Sequence, residues 1–377
     1  MRTISFEPFD LPPEAEALRG EVRKFLSDTI PQRSAVDRAQ SWSGMGREFS
    51  RKLGAKGWLG MTWPKKYGGH ERSHAERYVV VEEMLAAGAP VSFHWIADRQ
   101  SGPLLLKFGT EYQRELILPR IARGELCFCI GMSEPGAGSD LAGVRTRGRK
   151  VDGGWTVNGQ KIWTTNAHTA DYMIALTRTS DGERHAGLSQ LIVEMKSPGV
   201  TVKPIESLTG ESHFNEVFLD DVFVADAMLV GREGDGWRQV GAELAYERSG
   251  PERYLSSIRL FLEFLRVVGN EPTEAERIFI GQIAAQMWTL RQMSLSVTGK
   301  LASGGDPASD AAIAKDLGTS LEQDIPRAIQ ALAPPGLSDE SFQQTLTYLV
   351  QTSPSFSLRG GTREILRGII ARELGLR

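Results

Sequence analysis

A glycine-rich loop at residues 132–140, with the sequence MSEPGAGSD, holds the residues best suited to binding a ligand. Gly136 and Gly138 have no Cβ, so the backbone there can approach a bound molecule closely. Ser139 adds a hydroxyl, and successive backbone amides in such a loop can form a concavity that binds an anion. A pyrophosphate would fit, although a simple turn between strands explains these residues equally well. The G-x-G-x-x-G pattern and βαβ context of a Rossmann site are missing.

A second candidate segment follows at residues 162–166, with the sequence IWTTN. Trp163 stands beside two threonine hydroxyls, an arrangement that suits a flat, partly apolar ring with a polar edge. Taken alone, a tryptophan is more typical of a protein core than of a cofactor contact. The six histidines show no spacing typical of a metal site, so no metal is predicted.

Three regions of different periodicity must position these segments. Residues 1–123 are predicted to be helical, because their apolar residues recur with helical spacing. Residues 124–230 are predicted to form short strands in a small barrel or sandwich. Residues 231–377 are predicted to be helical again.

Two local signals add detail to this outline. Asn158 and Gly159 stand between two β-rich runs and predict a tight turn. Thr362 follows two glycines and predicts the start of the last helix, as its N-cap. That helix is expected to bury its apolar residues, which are Ile365, Leu366, Ile369 and Ile370.

Composition restricts the class of protein. Of 377 residues, 41% are hydrophobic and 24% are charged, as in an ordinary globular protein. The net charge of −3 provides no global basic field for nucleic acid or an anionic membrane. The two cysteines, Cys127 and Cys129, cannot build a disulfide framework, and no apolar run approaches the roughly 18 residues that span a bilayer. The start of the chain lacks the order of a secretory signal, so a cytoplasmic protein is predicted.

Several runs of sequence together resemble the acyl-CoA dehydrogenase family. The family's β domain is similar to CFCIGMSEPGAGSDLAGVRT and GWTVNGQKIWTTNA. The segment by which the family's chain leaves that domain is similar to FNEVFLDDVFVADAMLVGREGDGW. Its C-terminal flavin-contacting segment is similar to RGGTREILRGIIARELGL. The resemblance spans nearly the whole chain and implies an α+β multidomain fold. The implied parts are an N-terminal helical domain (1–123), a central β-barrel-like domain (124–230) and a C-terminal four-helix bundle (231–377).

The resemblance implies an FAD cofactor and an acyl-CoA substrate. A glutamate would take the α-proton of the thioester, and the β-hydride would pass to flavin N5. FAD would lie between the β domain and the C-terminal bundle, with part of its site supplied by a neighbouring subunit. Ser139 and Arg248 would contact the acyl-CoA. The residues expected to contact FAD are Ile130, Met132, Ser133, Gly138, Ser139, Trp163, Thr165, Gln330, Thr362 and Glu364.

The catalytic base is expected at Glu247. Most family members place this glutamate directly before the Gly-Thr of the C-terminal segment, where this chain has Gly360, which cannot accept a proton. A minority, including isovaleryl-type enzymes, carries the base on an earlier helix just before an arginine, and the run LAYERSG fits that pattern with Glu247 and Arg248. Glu243, one turn earlier, is a weaker candidate. A solvated helix surface would explain Glu247 without a catalytic role.

Two departures from the family pattern bear on assembly. The usual Arg-x-x-Phe-Gly element, which helps to bind the neighbour's FAD, has no counterpart. The usual Gln-x-x-Gly-Gly-x-Gly element survives only as Gln330, with Ala333 and Pro334 in place of two glycines. These features resemble bacterial members that act on bulky CoA thioesters such as steroid side chains, some of which are α2β2 heterotetramers.

The expected partners follow from the same resemblance. They are an electron-transfer flavoprotein or similar acceptor, and further subunits in a homodimer, a homotetramer or an α2β2 heterotetramer. The alternative is a non-catalytic subunit that completes a site for a related chain. A nucleic-acid-associated role, as in alkylation-response flavoproteins, is disfavoured because the last residues carry charges of both signs.

Overall fold

The computed structural model describes residues 4–30, 32–182, 184–246, 250–333 and 337–376, with the backbone alone for 243–246. Contacts gather the chain into two compact units. One consists of Met1–Met45, Arg72–Val91 and Glu247–Arg377 and is termed the helical unit. The other consists of Gly46–Glu71 and Ser92–Tyr246 and is termed the mixed unit. The domain boundaries predicted from the sequence stay a prediction.

Helices precede and follow a block of strands, which confirms the predicted α+β class. The helices are α1 (Pro13–Thr29), α2 (Ala35–Ala39), α3 (Arg47–Ala55), α4 (His74–Ala87), α5 (Ser92–Ile96), α6 (Gly102–Phe108), α7 (Glu111–Ala122), α8 (Gly236–Tyr246), α9 (Ile258–Val268), α10 (Glu274–Ala302), α11 (Ala308–Leu332), α12 (Glu340–Thr352) and α13 (Arg363–Glu373). The strands are β1 (Phe128–Gly131), β2 (Arg147–Val151), β3 (Gly154–Lys161), β4 (Tyr172–Arg178), β5 (Leu188–Glu194), β6 (Val200–Ile205) and β7 (Phe214–Ala225).

The strands of the mixed unit form one curled, half-barrel sheet, which confirms the predicted barrel-like β region. Their order is β1-β4-β2-β3-β7-β6, and β5 pairs with β4. Strands β1 and β4 run parallel, whereas β3 and β7 run antiparallel. Side chains alternate between the two faces of a strand, so one face of the sheet can be apolar. That face builds a core that includes Trp155, Val157, Met173, Leu191, Val217 and Val222.

The tight turn predicted at Asn158 and Gly159 is wrong, because both residues lie inside the continuous strand β3. The pairing of β3 with β7 shifts register between Val157 and Gly159, which marks a β-bulge. The Asn158 side chain accepts from the Asp221 backbone N–H at 2.9 Å. A Cβ on Gly159 would stand 2.5 Å from Thr146 Oγ1, so glycine allows the close approach of β3 to the residue just before β2.

A charged network lies inside the helical unit, where α1, α4 and α10 pack together. The Arg19 guanidinium donates to Glu82 at 3.0 Å and also to Glu83. Arg291 donates to Glu82 at 2.7 Å. Each of these four charges has a partner of opposite sign, so the packing leaves neither of the two buried carboxylates uncompensated.

The last helix, α13, begins after Thr362 as predicted, but most of its apolar residues are not fully buried. Leu366 is buried, Ile369 and Ile370 are half-buried, and Ile365 is 40% exposed. Apolar periodicity therefore identified the helix correctly but overstated its burial. The spacing of residues along one helix does not reveal how much of its surface a neighbouring element covers.

Within the described ranges of the chain, no helix is long and apolar enough to cross a membrane. The same residues contain no group of three or more His, Cys, Asp or Glu side chains that could hold a metal ion. Cys127 and Cys129 are both free and buried, and burial raises the pKa of each thiol.

Candidate functional site

Strand β1 leads directly into the glycine-rich loop of the mixed unit. Ile130, near the end of the strand, packs against an apolar cluster that includes Ile174 and Ile192. Met132 packs against a second cluster beside the loop. The backbone N–H and C=O of Glu134 pair with those of Ala137, at 2.9 and 3.0 Å. This pairing closes a tight turn at residues 134–137 and holds the loop in one conformation.

The two loop glycines face open space. A Cβ built on Gly136 or Gly138 would find no other heavy atom within 4 Å. Ser139 is exposed beside them. Packing within the chain therefore does not require glycine at these positions, whereas close approach of a ligand to the backbone would.

A rigid turn after β3 presents the Trp163 ring to solvent. Trp163 has φ 58° and is 57% exposed, and its ring meets Phe214 edge-on at a centroid distance of 6.0 Å. The backbone N–H of Thr164 donates to Asn215 O at 3.1 Å, and Asn215 Nδ2 donates back to Thr164 O at 2.9 Å. Thr165 is half-buried next to them. A left-handed, exposed tryptophan is costly, and such conformations cluster at ligand sites.

A fully buried ion pair lies beneath the loop, and the sequence patterns did not indicate it. Lys161, at the end of β3, is 0% exposed and Glu134 is 8% exposed. Lys161 Nζ donates to Glu134 Oε1 at 2.8 Å and to Met132 O at 3.2 Å. The Ser133 carbonyl accepts from the Ile162 N–H at 2.9 Å, so consecutive loop residues are tied to the end of β3. A Cβ on Gly131 would stand 2.5 Å from Met173 Sδ and 3.2 Å from Lys161 Cγ, so glycine here leaves room for both side chains.

The buried pair gives a pH-dependent prediction. Burial lowers the pKa of Lys161 to about 8 from its ordinary 10.5, and Glu134 opposes that shift. The folded protein thus binds this proton less tightly than the unfolded chain does. The Lys161 contribution to the free energy of unfolding should therefore rise between about pH 8 and 10.5. Urea unfolding across that pH window measures this contribution as the difference between the native chain and the Lys161→Met, Glu134→Gln double variant. Parallel pH curves for the two proteins would contradict this assignment.

The remaining predicted flavin contacts lie in the helical unit. Thr362 is the N-cap of α13, although its side chain makes no capping hydrogen bond. The exposed Glu364 carboxyl accepts from the backbone N–H of Glu364 itself and from the Thr362 side chain. These two hydrogen bonds, the first more than the second, lower the pKa of that carboxyl. Gln330 is exposed near the end of α11. Thr362 and Glu364 are thus close together within this unit.

The predicted base and its neighbour lie outside the described residues. Helix α8 ends at Tyr246, directly before Glu247 and Arg248. The side chain of Glu243 is also outside the description. At the alternative position, Gly360 and Gly361 have φ values of 61° and 97°, a left-handed conformation that glycine adopts without strain.

The residues of the mixed unit fit a flavin nucleotide. The exposed Trp163 ring offers an apolar face, and the half-buried Thr165 lies beside it. Thr164 Oγ1 is buried and has no hydrogen-bond partner within the described part of the chain. The open backbone at Gly136 and Gly138 suits an anionic group such as a pyrophosphate.

Comparison with known proteins identifies the family of this chain. The acyl-CoA dehydrogenase N-terminal domain matches residues 12–125, and the middle domain matches residues 129–222. Acyl-CoA dehydrogenase IpdE1 of Mycobacterium tuberculosis is 34% identical, over 96% of this chain and 98% of its own length. The crystal structure of the ChsE4-ChsE5 complex from Mycobacterium tuberculosis matches with TM-score 0.83 and 30% identity, covering 100% of both chains. The Tcur3481-Tcur3483 steroid ACAD matches with TM-score 0.85 and 29% identity, over 97% of this chain and 98% of that one.

The chain belongs to the acyl-CoA dehydrogenase family, whose members are FAD-dependent oxidoreductases. The family, the enzyme class and the cofactor predicted from the sequence are thereby confirmed. The individual contact residues and the base stay predictions.

Proposed function

We propose that this chain dehydrogenates an acyl-CoA to the 2-enoyl-CoA and that Glu247 removes the α-proton. The observation that carries this proposal is the left-handed Gly360, which cannot supply a base at the position most family members use. A carboxylate that follows α8 directly, with Arg248 beside it, is the remaining candidate that fits the family pattern. A positioned base of this kind typically contributes about 10²–10⁴-fold to the rate.

FAD, when bound, supplies the acceptor for the β-hydride. The chain supplies orientation, water exclusion and proton removal. The loop amides near Gly138 and Ser139 would hold a phosphate group, and the Trp163 ring would cover one face of the isoalloxazine. Arg248 and Ser139 would contact the acyl-CoA. The other residues proposed to hold FAD are Ile130, Met132, Ser133, Thr165, Gln330, Thr362 and Glu364.

Purification and spectroscopy test this function. The purified chain should carry the visible absorbance of an oxidised flavin, and that absorbance should bleach when a suitable CoA thioester is added without oxygen. A panel that runs from short acyl-CoAs to steroid side-chain thioesters identifies the acyl group. A flavin that no member of the panel bleaches would count against the enzymatic function.

Trp163→Ala should weaken FAD binding about tenfold, because the apolar face that covers the ring is lost. The free energy of unfolding of the FAD-free chain should change little, since Trp163 is 57% exposed. Trp163→Phe, which keeps an aromatic face, is the matched control and should retain most of the affinity. Quenching of FAD fluorescence on titration with FAD-free protein measures the dissociation constant. Equal affinity for the native and Ala proteins would remove Trp163 from the site.

The substrate and assembly follow from named relatives. The structural neighbours include a steroid ACAD and a ChsE4-ChsE5 complex. We therefore infer that the substrate is a bulky acyl-CoA and that the oligomer contains more than one kind of subunit. The missing Arg-x-x-Phe-Gly element and the altered glycines after Gln330 support a heteromer in which this chain completes only some flavin sites.

A non-catalytic partner subunit is the second candidate, and a colourless, inactive chain that gains activity with a related chain would favour it. An electron-transfer flavoprotein as acceptor and a cytoplasmic location complete the proposal.

A further inference from the structure

The buried Lys161–Glu134 pair is the part of the mixed unit that the proposed chemistry does not use. Lys161 is fully buried, yet it carries an amino group that donates to both Glu134 and the Met132 carbonyl. Replacing a buried ion pair with neutral side chains of similar size is often neutral for stability or even stabilising. Stability alone is therefore a weak reason for this pair.

The start of the glycine-rich loop and the residues just before β2 converge on the pair. Glu134 Oε2 accepts from the Arg145 N–H at 2.6 Å, and Oε1 accepts from the Thr146 N–H at 2.9 Å. Lys161 Nζ holds the start of the loop through Met132 O at 3.2 Å. One ion pair thus joins the start of the loop, the residues just before β2 and the last residue of β3.

The pair also sets the direction of a backbone donor. The described chain contains no cis peptide bond, and in a trans peptide the C=O and the following N–H point in opposite directions. Because the Met132 carbonyl points to Lys161, the Ser133 N–H points away from it. The Ser133 carbonyl is fixed independently by the Ile162 N–H, two residues before Thr164 and next to Trp163.

We propose that Lys161 and Glu134 are positioning residues that aim the Ser133 N–H at the bound flavin and hold the loop against the Trp163 turn. This inference rests on the proposed FAD site at the loop. A backbone donor held in this way strengthens the binding of an electronegative ring edge and alters the electron distribution of the ring. Losing the alignment should weaken FAD binding without unfolding the unit.

The test compares three proteins: the native chain, the Glu134→Gln, Lys161→Met double variant, and a Lys150→Met, Asp226→Asn control. The control removes an exposed ion pair between β2 of the same sheet and the residue directly after β7. The measurements are the far-ultraviolet circular dichroism, the urea midpoint, the FAD dissociation constant, the flavin absorption maximum and the midpoint potential. The double variant should keep a native-like fold, bind FAD about tenfold more weakly and show a shifted flavin maximum and potential. The control should match the native chain in all of these.

Each other outcome is decisive. A folded double variant with native FAD affinity, spectrum and potential would overturn the positioning role. A double variant that does not fold, together with a Glu134→Gln single variant that folds and binds FAD natively, would assign the pair to structure alone. A native chain that binds no FAD would overturn the proposed function itself, whereas a native chain that binds FAD while the variant is unaffected would overturn only this inference.

Discussion

Glu247→Gln is expected to lower the turnover of acyl-CoA dehydrogenation by about 10²–10⁴-fold. The amide keeps the size and polarity of the side chain but cannot accept the α-proton. Since the carboxylate is proposed to contact substrate and not flavin, the visible flavin spectrum and the urea midpoint should stay at their native values. Anaerobic mixing with saturating CoA thioester, followed by the rate of flavin bleaching, isolates the chemical step.

Glu243→Gln provides the matched control for this experiment. It makes the same chemical change four residues earlier in the sequence, on α8. Native bleaching in Glu243→Gln together with its loss in Glu247→Gln would assign the base. The reverse pattern would move the base to Glu243, and native rates in both variants would remove it from α8 and the residues just after it.

Arg359→Met is expected to lower the free energy of unfolding by about 3–5 kcal/mol, because it leaves a buried carboxylate without its partner. Glu322 is 0% exposed, and its Oε2 accepts from Arg359 at 3.0 Å. Burial raises the pKa of Glu322, and the Arg359 charge opposes that shift. The guanidinium also lies over the rings of Phe356 and Trp42, at 4.1 and 4.8 Å from their centroids. Urea unfolding at neutral pH measures the loss.

Two further variants separate lost charge pairing from lost packing. The Arg359→Met, Glu322→Gln double variant removes both charges and should recover most of the lost stability, as neutral replacements of buried pairs often do. Arg327→Met removes an exposed arginine whose ion pair with Asp324 spans 4.0 Å, and it should leave the urea midpoint nearly unchanged. A double variant as unstable as Arg359→Met would show that packing on the rings, and not the charge, dominates.

Much of the fold and the outline of the site could be predicted from local sequence. The periodicity of apolar residues distinguished helices from strands, because side-chain spacing is a property of each segment by itself. The start of α13 after Thr362 followed from its N-cap residue type. The runs around MSEPGAGSD and IWTTN, together with the runs near the C-terminus, resemble the acyl-CoA dehydrogenase family, and that resemblance implied the cofactor.

Other features depended on how distant segments pair, and only the tertiary structure decided them. Asn158 and Gly159 carry the signature of a turn, but the pairing of β3 with β7 makes them part of a bulge. The Lys161–Glu134 pair joins residues 27 positions apart, and Arg359 and Glu322 are 37 positions apart. A charged residue has the same letter whether it is solvated or buried. Its burial follows from the neighbours that folding brings around it, and no local pattern encodes them.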